Sequence, residues 1–412
     1  MRIGLVGTRL VGVDGVSFES LKWEEVLVGL GHEIRLCAAE VPADRPGGRL
    51  ITAMHFLDPD ARAVSSAAFD PAADADAVRR EVDRQADALL PQLADWVERE
   101  AIDLLVVENA WAIPMHLPLG VALARLVGEL RLPAIGHHHD YAWERDRFAF
   151  CGVPEVLESA FPPDLPNVRH VSISSLAAAE LERRRGIHSV VIPNAYPFEI
   201  PPPGRDDYSR SLRSELGMGS HNLVVVQPTR VVPRKGIELA IELVQRLNDP
   251  RAHLLITSPA GDEGLEYLAR LHVLADRLGV DLRYAAERFA HQRLQRGPQR
   301  TYAVTDAYLE ADLISFPSLH EGFGNALVEA VYFAKPLVVN RYTVYEADIR
   351  PLGFRFVEIS GAITDRTVTE VHQLIRDEQR RADDAAHNFA IGLRHLGFAM
   401  LRERLAAVLA SV

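Results

Sequence analysis

The chain has 412 residues, 48% of them hydrophobic and 25% charged, with a formal net charge of −12. At roughly 100–200 residues per domain this predicts two or three folded domains rather than a disordered chain, and the acidic excess disfavours a nucleic-acid binder. No run approaches the roughly 18–20 apolar residues that cross a bilayer, MRIGLVGTRL does not open like a secretory leader, and Cys37 and Cys151 are too few for a disulfide framework, so a cytoplasmic setting is expected.

Short β-branched runs alternate with longer amphipathic stretches along the whole chain. Arg2–Thr8 reads as a buried strand, Ser17–Leu30 as a helix with Phe18, Leu21, Val26 and Leu30 on one side, and Glu33–Ala38 as a second strand. A long helical stretch covers Ala73–Glu100. Strands follow at Leu104–Val107, Pro133–Gly136, Val168–Ile173 and Val190–Pro193. Pro197–Gly204, PFEIPPPG, suits neither helix interior nor central strand and reads as a linker. Beyond it the pattern restarts, with strands at Leu223–Gln227, His253–Thr257, Asp281–Tyr284, Leu313–Phe316 and Pro336–Val339. The helices there are Ile237–Leu247, Glu263–Leu278, Phe323–Ala334 and Thr367–Arg381, and a last helical stretch covers Asp384–Leu409. Strands separated by helices imply βαβ units and parallel sheets. The predicted class is α/β, two doubly wound Rossmann-like domains facing across a cleft: an N-terminal domain at 1–198, a C-terminal one at 199–385, and a helix at 386–412 returning towards the first.

The strongest chemical signal is Ser315–Ala330, SFPSLHEGFGNALVEA. A strand ends, a loop with Glu321, Gly322, Gly324 and Asn325 follows, and a helix starts near Phe323. Glycines allow close backbone approach, and the first free amides of the helix, from Gly324 through Ala326 to Leu327, make an anion site suited to phosphate. Glu321 and Glu329, acceptor-only carboxylates eight residues apart, suit hydroxyls at both ends of a ligand such as a nucleotide-sugar. The second signal is Gln227–Gly236, QPTRVVPRKG, where Arg230 and Lys235 flank a stiff turn and can balance a diphosphate. Arg234 reads as a weaker candidate facing solvent. Of 45 basic residues only three are lysines, Lys22, Lys235 and Lys335, and one sits in this turn. The third is Gly136–Arg147, GHHHDYAWERDR. Neighbouring residues on a strand point to opposite faces, so at most alternate members of His137, His138 and His139 converge. With no second His/Cys cluster, no metal is expected. Arg183–Arg185 reads as a solvated helix end, and Arg341–Asp348, RYTVYEAD, as a frame for either acceptor or donor base.

The stretch ADLISFPS followed by HEGFGNALVEA, with Glu321 and Glu329 seven residues between them, resembles the signature of the GT4 family of retaining GT-B glycosyltransferases. TRVVPRKG resembles that family's diphosphate-binding turn, VIPNAYPFE the end of its first domain, and LGHEI its first helix's close. The resemblance implies that Glu321 holds hydroxyls of a donor sugar, Glu329 the ribose, and Arg230 and Lys235 the departing diphosphate. It further implies backbone contacts at Phe323, Gly324 and Asn325, and a phosphate-covering loop GVDGV. There the family's paired glycines are replaced by Asp14–Gly15, which favours Gly15 and leaves Asp14 without a clear role. It implies that His139, or else His138, faces the donor sugar, with Asp140 beside the acceptor. The activity implied is retaining hexosyl transfer from a GDP- or UDP-linked sugar to a small-molecule or glycan hydroxyl, with neither metal nor pyridoxal phosphate as cofactor; the acidic balance disfavours a nucleic-acid partner, and with the missing basic amphipathic helix it disfavours, without excluding, a membrane-surface acceptor. DGVSFES, HHHDYAWER and DAYLEADLISFPS are similar to enzymes that glycosylate small polar acceptors such as glycerate-type compatible solutes. A nucleotide-sugar epimerase, a glycan phosphorylase and an inactive sugar-nucleotide-binding regulator are the rival readings.

Overall fold

The computed structural model describes residues 1–12, 15–42, 48–260, 264–290, 292–296 and 299–412. The chain divides into two units, Met1–Asn194 with Ala399–Val412, and Ala195–Phe398.

The first unit is built from β1 (Arg2–Gly7), α1 (Gly15–Gly29), β2 (Glu33–Ala38), β3 (Arg49–Leu50), α2 (Pro59–Ala68), α3 (Ala75–Arg99), β4 (Leu104–Glu108), α4 (Leu117–Leu130), β5 (Ala134–His138), α5 (Pro154–Ala160), β6 (Val168–Ser172), α6 (Ser175–Arg185) and β7 (Ser189–Val191). Its seven-stranded sheet has the order β3-β2-β1-β4-β5-β6-β7, all parallel. Strands such as β4, LLVVE, are apolar without alternation because helices cover both faces of a parallel sheet. The helix α3 buries Val78, Val82, Ala86, Leu89, Leu93, Trp96 and Val97, a stripe at helical spacing. Asp74 starts it by accepting from the amides of Asp76 and Ala77 at 3.0 and 3.2 Å.

The second unit continues with α7 (Asp207–Glu215), β8 (Leu223–Gln227), α8 (Ile237–Leu247), β9 (Ala252–Ile256), α9 (Glu266–Leu278), β10 (Asp281–Tyr284), β11 (Phe289–Ala290), β12 (Leu294–Arg296), β13 (Gln299–Ala303), α10 (Val304–Glu310), β14 (Leu313–Phe316), α11 (Asn325–Tyr332), β15 (Leu337–Asn340), β16 (Val357–Ile359), α12 (Asp365–Arg376) and α13 (Glu378–Leu396). Its main sheet has the order β10-β9-β8-β14-β15-β16, all parallel. The order reverses between β8 and β14, and ligands of doubly wound sheets bind beyond the carboxyl ends of strands at such a point. In the first unit the reversal falls between β1 and β4.

Most strands and helices lie within a few residues of where the sequence puts them, and several differences have physical causes. The final helical stretch is two helices, α13 and then α14 (Phe398–Leu409), because Gly397 leaves helical geometry at φ −80° and ψ 165°. The chain crosses from the second unit to the first beside that break, so α13 stays with the second unit and Leu401, Leu405 and Val408 of α14 are buried in the first. The predicted boundary at 385 therefore falls inside α13. A three-stranded sheet, β11-β13-β12, forms where no strand was expected. Arg185 is no solvated helix end either: its guanidinium donates to the carbonyls of Leu157, Glu158, Phe161 and Pro162, gathering groups left open as α5 ends.

Candidate active site

In the second unit the loops after β8 and β14 emerge side by side. Val232–Gly236 forms a tight turn that ends at Gly236 with φ 59°. A Cβ there would sit 2.6 Å from the Pro317 carbonyl, so only glycine lets this turn approach the end of β14. The amide of Leu319 donates to the Arg234 carbonyl at 2.8 Å, which ties the two loops together.

That approach brings together residues 86 apart in sequence. The Lys235 ammonium donates to the Glu321 carboxylate in a buried ion pair. Arg234 donates to the same carboxylate at 3.4 Å and to the His320 carbonyl at 3.2 Å, so it serves the loop rather than facing solvent as expected. Burial pushes the Lys235 ammonium down to about 8, against the pull of Glu321, and Arg234 and Arg230 add to the lowering by like-charge repulsion. Arg230 is thus electrically part of the group. Burial alone would raise the Glu321 carboxyl, but Lys235 and Arg234 reverse that and hold it below its usual range.

The same loop leads into α11. Gly324 has φ 133° and ψ 63°, and a Cβ there would overlap the Tyr342 hydroxyl and stand 3.3 Å from the Phe316 ring. Lys235 lies over that ring too, its nitrogen 6.0 Å from the centroid, so the cation and the start of the helix both adjoin Phe316. The amides of Leu327 and Val328 fold back onto the Gly324 carbonyl at 3.0 and 3.3 Å. Those of Gly324 and Ala326 make no hydrogen bond among the described residues, which leaves donors at the positive end of the helix. Tyr342 donates to the Phe323 carbonyl at 2.5 Å and Asn340 to the Ser318 carbonyl at 3.0 Å, so β15 and the residues after it brace this loop. The RYTVYEAD stretch therefore supports the loop through Tyr342, a role its sequence alone did not reveal. Glu329 lies further along α11, where its charge adds to burial in raising the Tyr308 hydroxyl.

In the first unit, the ends of β4 and β5 bring together a second set. Glu108 closes β4 and is fully buried. His137 Nδ1 lies 3.0 Å from its Oε2, and His139 Nε2 3.6 Å from the same oxygen. These are the alternate members of the histidine run. His138, between them, points the other way, its Nε2 2.9 Å from His170 Nδ1 in the interior. Burial would raise the Glu108 carboxyl, but the imidazoles of His137 and His139 outweigh it and hold the group low, while burial lowers the His137 imidazole. Trp23 stacks on His137 with ring centroids 3.9 Å apart. Asn109, with a left-handed φ of 55°, accepts from the His139 amide at 2.9 Å and donates to Asp140 at 3.2 Å. Arg145 donates to Asp140 at 3.0 Å. The available signal for Glu108 was an acid closing an otherwise apolar strand. Gly15 opens α1, and Asp14 lies outside the described residues. Lys22 pairs with Glu19 at 2.5 Å, and Lys335 donates to the carbonyls of Leu309 and Ala311 at 3.0 and 2.9 Å.

Comparison with known proteins gives this arrangement a family. The family described as glycosyl transferases group 1 matches residues 209–386. The chain is 31% identical to a mannosylglucosylglycerate synthase of Thermotoga maritima, over 98% of this chain and 99% of that one. It is 30% identical to one of Petrotoga mobilis over 90% of each. Among solved structures, Anabaena HepE in complex with UDP and glucose aligns over the full length of both chains with a TM-score of 0.67 at 17% identity. The sucrose-phosphate synthase of Thermosynechococcus elongatus aligns over 100% of this chain and 98% of that one, with a TM-score of 0.70 at 13% identity. No described helix is long and apolar enough to cross a membrane. With near-full-length relatives at this identity and two Rossmann-like units of the expected topology, the chain belongs to the GT4 family, the glycosyl transferases group 1, and is a glycosyltransferase of the GT-B fold.

Proposed function

We propose that the enzyme moves a hexosyl group from a nucleoside diphosphate sugar to a hydroxyl of a small polar acceptor, with retention of anomeric configuration. The observation that carries this reading is the buried Lys235–Glu321 pair beside Arg230 and the open amides of α11. Breaking the bond between the anomeric carbon and the diphosphate leaves a growing negative charge on phosphate oxygens. Lys235, held by Glu321, and the Gly324 and Ala326 amides are fixed before that charge appears, with Arg230 as a neighbouring cation, and preorganised donors stabilise it without reorganisation. Glu321 accepts hydroxyl hydrogens of the sugar, and Glu329 those of the ribose. The acceptor oxygen forms the new bond to the anomeric carbon, and its proton passes to the departing phosphate. The acceptor class follows the relatives, whose names give a product of mannosyl, glucosyl and glycerate parts.

The direct test is a thermal-shift panel of GDP-, UDP- and ADP-linked hexoses, followed by NMR of the product formed with glycerate-type acceptors. At a hundredfold excess over its dissociation constant the true donor adds about 2.7 kcal/mol to stability. A panel in which none raises the melting temperature overturns the reading, and a product of inverted anomeric configuration overturns its stereochemistry.

The Lys235 ammonium also sets a pH dependence. Its folded value, about 8, lies below the ordinary lysine value, so in the free protein the cation is lost as pH rises through that value. Affinity for the nucleoside diphosphate, measured by calorimetry, is expected to fall over the same range. Lys235→Arg, whose guanidinium stays protonated, is expected to remove that step. A step that persists in Lys235→Arg assigns the titration to another group.

A further inference from the structure

Glu108, His137 and His139 converge where β4 and β5 end in the first unit, and the diphosphate chemistry of the second unit makes no use of the carboxylate. Side-chain exposure is 0% for Glu108, 1% for His137 and 8% for His139, so His139 is the least enclosed of the three. It lies one residue past β5, beyond the carboxyl ends of the strands, where ligands of doubly wound sheets bind. Glu108 Oε1 and His139 Nε2 are both buried with no hydrogen-bond partner among the described residues. Buried polar atoms left unpaired are costly. Burial would raise the Glu108 carboxyl, yet the imidazoles of His137 and His139 hold it low and ionised. An ionised carboxylate accepts and cannot donate, so the two atoms complement each other only if His139 Nε2 carries the proton. Glu108 Oε2 is 3.0 Å from His137 Nδ1 and 3.6 Å from His139 Nε2, so a small turn of the His139 ring closes the second hydrogen bond.

We propose that Glu108 is a positioning residue for sugar transfer: its carboxylate holds the proton of His139 on Nε2 and leaves Nδ1 as an acceptor for a hydroxyl of the sugar substrate. This deepens the transfer reading given above and rests on it. The hydrogen bond made by one ring nitrogen decides which of the two carries the proton. A neutral imidazole has one donor and one acceptor. With the donor turned inward to Glu108, the acceptor remains for the substrate. The rest of the cluster fixes the two groups against each other. Trp23 stacks on the His137 ring with centroids 3.9 Å apart, and the His137 and His139 rings lie 4.4 Å apart. Asn109 accepts from the His139 amide at 2.9 Å. The other carboxylates near the cluster, Glu19 of α1 and Asp140, are held by Lys22 and Arg145. Among the described residues it is therefore Glu108 that His139 meets.

The test is a tautomer measurement followed by a double-mutant cycle. Long-range proton–nitrogen NMR spectra of the full-length protein labelled at histidine nitrogens separate the two neutral tautomers, and the His139 signals are those lost in His139→Ala. The wild type is expected to carry the proton on Nε2. In Glu108→Gln the amide oxygen stays with the nearer His137 and the amide nitrogen faces His139, so the proton is expected to move to Nδ1. Glu108→Gln is expected to lower kcat/KM about tenfold, the worth of one hydrogen bond. Combined with His139→Ala it is expected to be no slower than His139→Ala alone, because the two act as one unit. A proton on Nδ1, or on both nitrogens, in the wild type overturns the proposal. So does an unchanged tautomer in a folded Glu108→Gln, or single-variant losses that simply add in the double variant. If Glu108→Gln does not fold, the wild-type spectrum decides the matter together with Glu108→Asp, which keeps the charge and is expected to keep the Nε2 proton. The spectra need no substrate. Failure of the transfer reading therefore shows as absent turnover in the wild type, and failure of this proposal as the wrong tautomer.

Discussion

Lys235→Ala is expected to lower turnover by about 10²–10³-fold, the effect of removing one preorganised donor from a developing oxyanion. Arg230→Ala acts in the same direction. Near-wild-type turnover in both variants would remove the diphosphate site from this turn. The lysine variant carries a second signature, because its partner is buried. Glu321 loses its closest counter-charge and keeps the weaker contact with Arg234 at 3.4 Å. Leaving a buried charge uncompensated costs about 3–5 kcal/mol. In the wild type the Glu321 carboxyl is held below its unfolded value, so the pair contributes stability above the unfolded carboxylate range and loses it as pH falls through the folded value. In Lys235→Ala burial dominates, the carboxyl rises, and the sign reverses: the variant is expected to be least stable at neutral pH and to recover as acid neutralises Glu321. Glu321→Gln in the same chain removes the charge and is expected to restore most of the melting temperature without restoring turnover. A melting temperature of Lys235→Ala that does not depend on pH would show that the two groups are not coupled.

Gly324→Ala is expected to abolish donor binding while leaving the rest of the fold in place. The backbone at Gly324 has φ 133°, a region that side chains rarely adopt, and forcing one there costs on the order of 1–3 kcal/mol. The new methyl would also overlap the Tyr342 hydroxyl, which donates to the Phe323 carbonyl. Relief of either strain moves the Gly324 amide away from the start of α11. Adding Tyr342→Phe removes the overlap but not the backbone strain, so the double variant is expected to regain part of the affinity in calorimetry with nucleoside diphosphate. Wild-type affinity in Gly324→Ala would mean that this amide does not contact the donor.

The elements and the two-domain class were legible in the sequence because parallel strands covered on both faces are unbroken apolar runs. LLVVE and LVVVQ need no tertiary context to be recognised. The break at Gly397 was not legible, since an apolar periodicity runs through it on both sides. The small sheet at β11–β13 was missed because strands of two to five residues carry too little pattern. Arg185 and Arg234 looked like solvated charges because the carbonyls and the carboxylate they meet come from other elements.

Residue types and local spacing by themselves determined the alternating fold and the loop of Glu321, Gly324 and Glu329 opening a helix, and those same motifs carried the resemblance to the family. Those depend on neighbours along the chain: a turn, a cap, a period. Only the tertiary structure decided that Lys235 pairs with Glu321, that Tyr342 braces Phe323, and that Glu108 joins His137 and His139 rather than His138. Each is a contact between the ends of strands adjacent in a sheet or the loops that follow them. Strand order and register set such contacts, and no local pattern encodes either.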